Sequence, residues 1–281
     1  MILVTGATGT VGREVVVELL AKGAKVRAMT RDASKAKFDE RVEVVVGDFE
    51  APETLAGAVD GVESVFSLTF GPRTAAHERN LALAARKAGA RQMVKLSAMG
   101  GDGQTRNSIR QWHDEGAAAI REAGMPLTVL LPTGFMSNAL HWRGTIRGQG
   151  KVFSNYGEGK LPSVHPRDIA AVAVCALTST GHEGKEYALT GPEALSVREQ
   201  VGILAAATGR EIEYVPISDE AARVGMEKAG MPGFLIEALL PFAEFVRAGK
   251  AAKVFRTVQE VTGKPGRTFG EWAKENTGAF V

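Results

Sequence analysis

The chain has 281 residues, 44% hydrophobic and 23% charged, ordinary proportions for a globular protein with a sizeable core. That length suits one large domain, or a nucleotide-binding domain with a smaller appendage. A net charge of +2, its basic residues scattered among acids, argues against a nucleic-acid partner, which calls for cations gathered on one face.

The chain opens on a strand-like Met1-Ile-Leu-Val4 with no basic segment leading into a longer apolar stretch. No run approaches the roughly 18 apolar residues of a membrane span, so a cytoplasmic protein without membrane contact is expected. β-branched runs at 2–5, 25–30, 42–46, 64–68, 92–97 and 127–131 alternate with longer helical patterns, which predicts βαβ units and a parallel sheet. These runs are mostly apolar without alternation, as expected when helices cover both faces of the sheet. Between the first two, Val11, Val15, Val16, Leu19 and Leu20 recur at helical spacing up to Gly23. Between the last two, Ile109, Trp112, Gly116, Ile120 and Ala123 mark another helix, ended by Gly124 and Pro126.

Beyond Pro132 the pattern loosens. The stretch 144–159 carries five glycines and reads as an irregular loop or a short hairpin. A helix is predicted from near Asp168, a strand at 186–189, and mainly helix after Glu193. The single cysteine, Cys175, excludes an internal disulfide and a zinc site of paired cysteines, and within the apolar run 170–177 it reads as a buried structural thiol. Met226, Met231, Phe234, Phe242, Phe245 and Trp272 supply large apolar side chains that read either as core or as ligand lining.

The chemistry begins at Gly6-Ala-Thr-Gly9-Thr-Val-Gly12, three glycines between the first strand and the first helix. A dinucleotide pyrophosphate needs a tight turn, then a backbone it can touch, then close packing of helix on strand. The free amides at the helix start bind its phosphates. Gly6, Thr8, Gly9, Thr10, Val11 and Gly12 are therefore the expected cofactor contacts. At the end of the second strand an acid would accept from a ribose 2′-hydroxyl, whereas an arginine accommodates a 2′-phosphate. Here the position falls on Arg31, nineteen residues past Gly12, with Asp32 one place later than the usual acid. The expected cofactor is NADP(H); the alternative is a surface arginine paired with Asp32. Ser97 ends a strand at the carboxyl edge, where ligands sit in open α/β sheets, and is expected to touch the cofactor.

With these residues the chain resembles the NmrA-like branch of the atypical short-chain dehydrogenases along essentially its whole length. Val4-Thr-Gly-Ala-Thr-Gly-Thr-Val-Gly12, Val46-Gly-Asp-Phe49 and Lys95-Leu-Ser-Ala98 are similar to that superfamily's segments. Leu131-Pro-Thr-Gly-Phe-Met136, His165-Pro-Arg-Asp-Ile-Ala170, Leu189-Thr-Gly-Pro-Glu-Ala194 and Gly263-Lys-Pro-Gly-Arg-Thr-Phe269 are more diagnostic of the branch. The resemblance implies a Rossmann-type doubly wound α/β sheet in the order 3-2-1-4-5-6 with an added strand. It also implies a smaller, mainly helical C-terminal subdomain closing over the nicotinamide. Residues 1–134 and 163–191 would form the dinucleotide-binding unit, and 135–162 with 192–281 the covering unit. Asp48 and the amide of Phe49 would approach the adenine. Phe135 and Met136 would wall the nicotinamide pocket, with Phe135 as plain core the alternative.

Ordinary short-chain dehydrogenases reduce carbonyls with a Tyr-x-x-x-Lys pair on the helix after the fifth strand, the lysine lowering the tyrosine's pKa. Tyr156-Gly-Glu-Gly-Lys160 matches the spacing, but two glycines argue against a helical turn and the stretch follows the sixth strand. Counted back from Gly124, the expected tyrosine and lysine positions hold Ile109 and His113, and no tyrosine precedes residue 156. What survives is hydride transfer from NADPH to a small aromatic or conjugated acceptor, such as a quinone, that needs little acid assistance. His113 is the candidate catalytic group, as proton donor or ribose contact with a titration between about pH 6 and 7, or else a helix histidine hydrogen-bonded beside Trp112. His77, His141 and His182 show no metal-ligand spacing. A dinucleotide-binding redox sensor that contacts a protein partner is the competing reading, since the resemblance covers regulators that catalyse nothing. A nucleotide-sugar epimerase is weakened by the missing tyrosine.

Overall fold

Apolar runs with helices between them can bury both faces only as a covered parallel sheet, and the chain folds that way. The computed structural model describes residues 1–100 and 108–281. Eleven strands are found among them: β1 (Ile2–Val4), β2 (Val26–Thr30), β3 (Val42–Val46), β4 (Ser64–Ser67), β5 (Gln92–Leu96), β6 (Leu127–Pro132), β7 (Lys151–Ser154), β8 (Lys160–Leu161), β9 (Glu186–Leu189), β10 (Leu195–Ser196) and β11 (Glu213–Pro216). The helices are α1 (Thr10–Ala21), α2 (Leu55–Val59), α3 (Thr74–Lys87), α4 (Ser108–Glu122), α5 (Arg143–Gln149), α6 (Pro166–Thr178), α7 (Val197–Thr208), α8 (Asp219–Lys228), α9 (Gly233–Arg247), α10 (Thr257–Thr262) and α11 (Phe269–Glu275).

Seven strands form one sheet in the order β3-β2-β1-β4-β5-β6-β9, every neighbouring pair parallel. This is the expected order, with β9 as the added strand. Side chains alternate between two buried layers. Ile2, Val4, Val26 and Phe66 pack with α1 and α6, while Leu3, Val65 and Met93 pack with α2, α3 and α4. Strand order reverses between β1 and β4, which opens a crevice at their carboxyl ends.

A third cluster lies outside this sheet. Met136, Ile146, Val152, Leu204, Phe269 and Trp272 pack together under two small sheets, β7 parallel to β11 and β8 antiparallel to β10. One expectation is corrected here. The glycine-rich stretch 144–159 is neither a hairpin nor wholly irregular, because its first half is the helix α5. Gly144 and Gly148 face open space there, while Ile146 is fully buried and anchors the turn. Gly150 then ends the helix at φ +63°, a conformation that favours glycine. The region after Glu193 also contributes two short strands, whose partners are too far away in sequence to be seen locally.

The tightest approach in the sheet's crevice is between the start of α1 and the loop before it. Gly6 has φ +59°, and a β-carbon at Gly12 would lie 2.7 Å from the carbonyl carbon of Gly6 and 3.0 Å from the Cα of Ala7. Backbone atoms cannot yield as a flexible side chain can. We expect Gly12→Ala to lower stability in urea unfolding by about 1–3 kcal/mol, the usual range for overpacking, and an unchanged midpoint would contradict this packing.

Candidate active site

The phosphate loop. Gly6 and Gly12 are explained by the protein itself, the first by its backbone conformation and the second by contact. Gly9 is not. It sits at φ −81° and ψ 177°, open to any residue, and a β-carbon there would meet only the Gly6 carbonyl oxygen at 3.2 Å. Thr8, Gly9 and Thr10 are exposed, and α1 begins with no side-chain cap on its first amides. The amides of Thr10, Val11 and Gly12 are thus left without a side-chain cap at the positive end of the helix dipole, a setting for an anion. The residues present thus fit a dinucleotide pyrophosphate.

The crevice edge. Arg31 directly follows β2, is exposed, and forms no ion pair among the described residues, so the alternative of an Arg31–Asp32 pair is not what the fold shows. Asp32 instead accepts from the amide and hydroxyl of Ser34 at 3.0 and 2.6 Å. After β3, Asp48 accepts from the Glu50 amide at 3.0 Å, and its own amide donates to Thr54 Oγ1 at 3.0 Å. Phe49 stacks on His77, centroids 5.4 Å apart, and His77 meets Glu50 at 2.9 Å. His77 therefore braces the turn that presents Asp48 and Phe49. Ser97 is buried just past β5, and its hydroxyl has no hydrogen-bond partner among the described residues. A buried hydroxyl without a partner is uncommon in a folded protein, and this one lies directly before Ala98 and Met99 of the cavity described below.

A buried ion pair. Lys95 of β5 and Glu78 of α3 are both fully buried, with Nζ 2.6 Å from Oε1. Glu78 also accepts from Ser67 at 2.5 Å and Thr69 at 2.8 Å. Gly116 lies against the cluster, since a β-carbon there would fall 2.7 Å from Thr74 Cγ2 and 3.4 Å from Lys95 Cε. This network was not foreseen in the sequence. The available signal was a lysine inside an apolar strand, together with Glu78 on the helical stripe of Leu81, Ala82 and Ala85.

His113 is buried in α4, and its Nδ1 has no hydrogen-bond partner among the described residues, so the reading of a hydrogen-bonded structural histidine is not what is seen. Its ring lies 6.3 Å from Phe70. Burial, then the positive charges of Lys95 and Arg110, push its pKa down to about 3. The expected titration between pH 6 and 7 is thereby corrected, because the ring is neutral throughout that range.

The cavity. A cavity of about 1150 Å3 opens between the carboxyl end of β6 and the C-terminal helices. Phe135, Met226, Met231, Phe242 and Phe245 line it, whereas Trp272 belongs to the third core cluster. The apolar stripe thus divides between the two readings offered for it, except for Phe234, which is exposed and touches Trp112 edge-on. Met136, expected beside Phe135, is buried in that cluster instead. Phe135 both lines the cavity and packs against the core beneath the sheet. Tyr156 also lines it, from the turn between β7 and β8, and touches Phe242 edge-on at 6.3 Å. Burial pushes the Tyr156 hydroxyl up to about 12, opposite to an activated tyrosine. Lys160 is engaged elsewhere, with Glu199 at 2.7 Å.

The seam. The branch-diagnostic motifs meet in one place. Thr133 donates to the Pro162 carbonyl at 2.7 Å, and Phe135 bridges to Val164. Buried Asp168 accepts from the Arg267 amide at 2.7 Å and pairs with its guanidinium. Glu193 accepts from the Phe269 amide at 3.1 Å. These contacts dock the C-terminal segments on the sheet's edge at β6 and β9, above the cavity.

A Rossmann crevice with an uncapped α1, an orphan hydroxyl and an adjoining apolar cavity defines a dinucleotide-dependent oxidoreductase, and the comparisons agree. Residues 6–180 match the NAD(P)H-binding family model, and the chain belongs to that family. It is 43% identical to the (4-alkanoyl-5-oxo-2,5-dihydrofuran-3-yl)methyl phosphate reductase of Streptomyces griseus, covering 100% of this chain and 99% of that one. It is 40% identical to the NAD(P)H azoreductase of Xenophilus azovorans, with the same coverage. The NADPH-dependent quinone oxidoreductase of Escherichia coli, solved with NADPH, superposes with a TM-score of 0.85 at 25% identity, over 98% of this chain and 99% of that one. The protein is an NAD(P)H-dependent reductase. Among the described residues no helix is long and apolar enough to cross a membrane.

Two outcomes are expected. Lys95→Met strands the Glu78 charge in the core and should cost about 3–5 kcal/mol in chemical unfolding, much of it recovered in Lys95→Met/Glu78→Leu; equal losses in both would contradict a paired charge. For His113, the unfolded ring binds a proton below its ordinary value of 6.5 and the folded ring only near 3. Its contribution to stability is therefore complete above about pH 6.5 and is lost as pH falls toward 3. Unfolding of wild type and His113→Gln between pH 7 and 4 checks this. The variant should lose less stability on acidification, and parallel curves would contradict it.

Proposed function

We propose that this protein transfers hydride from NADPH to a conjugated aromatic acceptor, such as a quinone or an azo compound, held in the cavity against Phe135. The observation that carries the reading is that the apolar cavity begins at Ala98 and Met99, directly after Ser97 at the carboxyl end of β5. The azoreductase and quinone oxidoreductase likenesses support the acceptor class.

In this reading Gly6, Thr8, Gly9, Thr10, Val11 and Gly12 hold the pyrophosphate, and Arg31 holds the 2′-phosphate through charge-assisted hydrogen bonds. Asp48 and the Phe49 amide face the adenine, and the Ser97 hydroxyl touches the cofactor. When bound, the reduced nicotinamide supplies the hydride. Phe135 walls the reacting face, and the apolar lining keeps water from it. No lysine-activated tyrosine assists the proton. A quinone or azo acceptor spreads the incoming charge over its own conjugated system, so no strong acid is required. His113, neutral at working pH, offers a hydrogen bond rather than a charge. The segments 135–162 and 192–281 act as the unit that covers the acceptor, on a cytoplasmic protein.

Following NADPH oxidation with a panel of quinones and azo dyes tests the reading, and tight NADPH binding with no acceptor consumed would overturn it. For the cofactor, Arg31→Ala should weaken NADPH by about 1.5–3 kcal/mol, the range for a hydrogen bond to a charged group, and leave NADH nearly untouched. Titrating both cofactors decides it, and equal losses would sink the role of Arg31.

A further inference from the structure

Among the described residues no aspartate or glutamate lines the apolar cavity, whereas the exposed Lys253 does. It belongs to the strap that runs from the end of α9 to α10. The strap is pinned near its end. The Phe255 amide donates to Thr190 Oγ1 at 3.0 Å, and that hydroxyl donates back to the Phe255 carbonyl at 3.2 Å. Thr190 directly follows β9, so Phe255 is held in register with the sheet's edge.

Lys253 is set by this anchor. Its ammonium rests over the Phe255 ring, 4.7 Å from the centroid, and both side chains line the cavity. A cation stacked on an aromatic face keeps its charge available to a second partner on the other side. The aliphatic stem meanwhile extends the apolar wall. The acceptor's site thus joins aromatic walls at Phe135 and Phe242 to a cation held at its border.

We propose that the acceptor is an anion: its conjugated ring lies in the cavity, and its sulfonate, carboxylate or phosphate is held by Lys253 on the strap between α9 and α10. This rests on the reductase reading of the same cavity, and deepens it by naming charge as the basis of selection. An opposite charge at contact distance is favoured over a neutral ring of the same shape, modestly because Lys253 is exposed, and added salt weakens that preference.

The test pairs a naphthoquinone with its ring-sulfonated analogue in turnover, and naphthol with naphthalenesulfonate in calorimetric binding to the NADP+-loaded protein. The sulfonated members should show the lower KM and the tighter binding, a preference that shrinks as salt is raised. Lys253→Met should reduce that preference about fivefold, the scale of one partly exposed ion pair, through KM rather than kcat. Lys253→Arg should restore it. Equal treatment of the two members by wild type, or a preference that survives Lys253→Met, overturns the inference while leaving the reductase reading intact. Selective binding of the sulfonate with no oxidation of NADPH by either quinone would uphold anion recognition by Lys253 and overturn hydride transfer.

Discussion

The carboxyl edge of the sheet is organised around a charge pair withdrawn from water, Lys95 with Glu78. Neither side chain has solvent exposure, so each charge depends on the other, and on the hydroxyls of Ser67 and Thr69, for what hydration would otherwise supply. The pair ties β5, α3 and the end of β4 into one unit. Ser67 and Thr69 flank Leu68, whose amide donates to Thr5 Oγ1 at 2.9 Å and whose side chain lies against Gly6. The floor beneath the phosphate loop is thus positioned by a polar core, and the same positive charge helps to keep His113 neutral. A buried ion pair is weak evidence for stability, because apolar replacements often serve as well. Its value here is geometric, since it fixes three elements against one another at the edge where the ligands sit.

Much of this was legible in the sequence because the signals were local. The three glycines stand between a strand and a helix, and the structure separates their roles into conformation at Gly6, contact at Gly12, and open approach at Gly9. The place of Arg31, directly after the second strand, was readable from its distance along the βα unit. The order of the sheet followed from the family resemblance. What was missed depends on pairing at long range. Glu78 and Lys95 are seventeen residues apart, and each alone reads as an ordinary charged residue. β7 and β11 pair across some sixty residues of chain, beyond any periodicity argument. The helix α5 was hidden by Gly144 and Gly148, whose poor helix propensity is outweighed by the burial of Ile146.

The later segments that carried the family resemblance are chiefly structural. The segments around Thr133, Asp168, Glu193 and Arg267 converge on the seam that holds the C-terminal helices over the crevice. The opposite wall of the cavity is supplied by α8, α9 and the turn between them, at Met226, Phe242 and Met231.

The central claim is that the backbone at Gly9 is open because a pyrophosphate approaches it. A β-carbon there meets only the Gly6 carbonyl oxygen, at 3.2 Å, so the claim can be largely separated from folding. NADPH binding by Gly9→Val, measured calorimetrically beside a thermal unfolding curve, tests it most directly. The account predicts a folded protein with near-native stability and no detectable affinity for NADPH or NADH. A folded Gly9→Val protein that binds NADPH as tightly as wild type would contradict it.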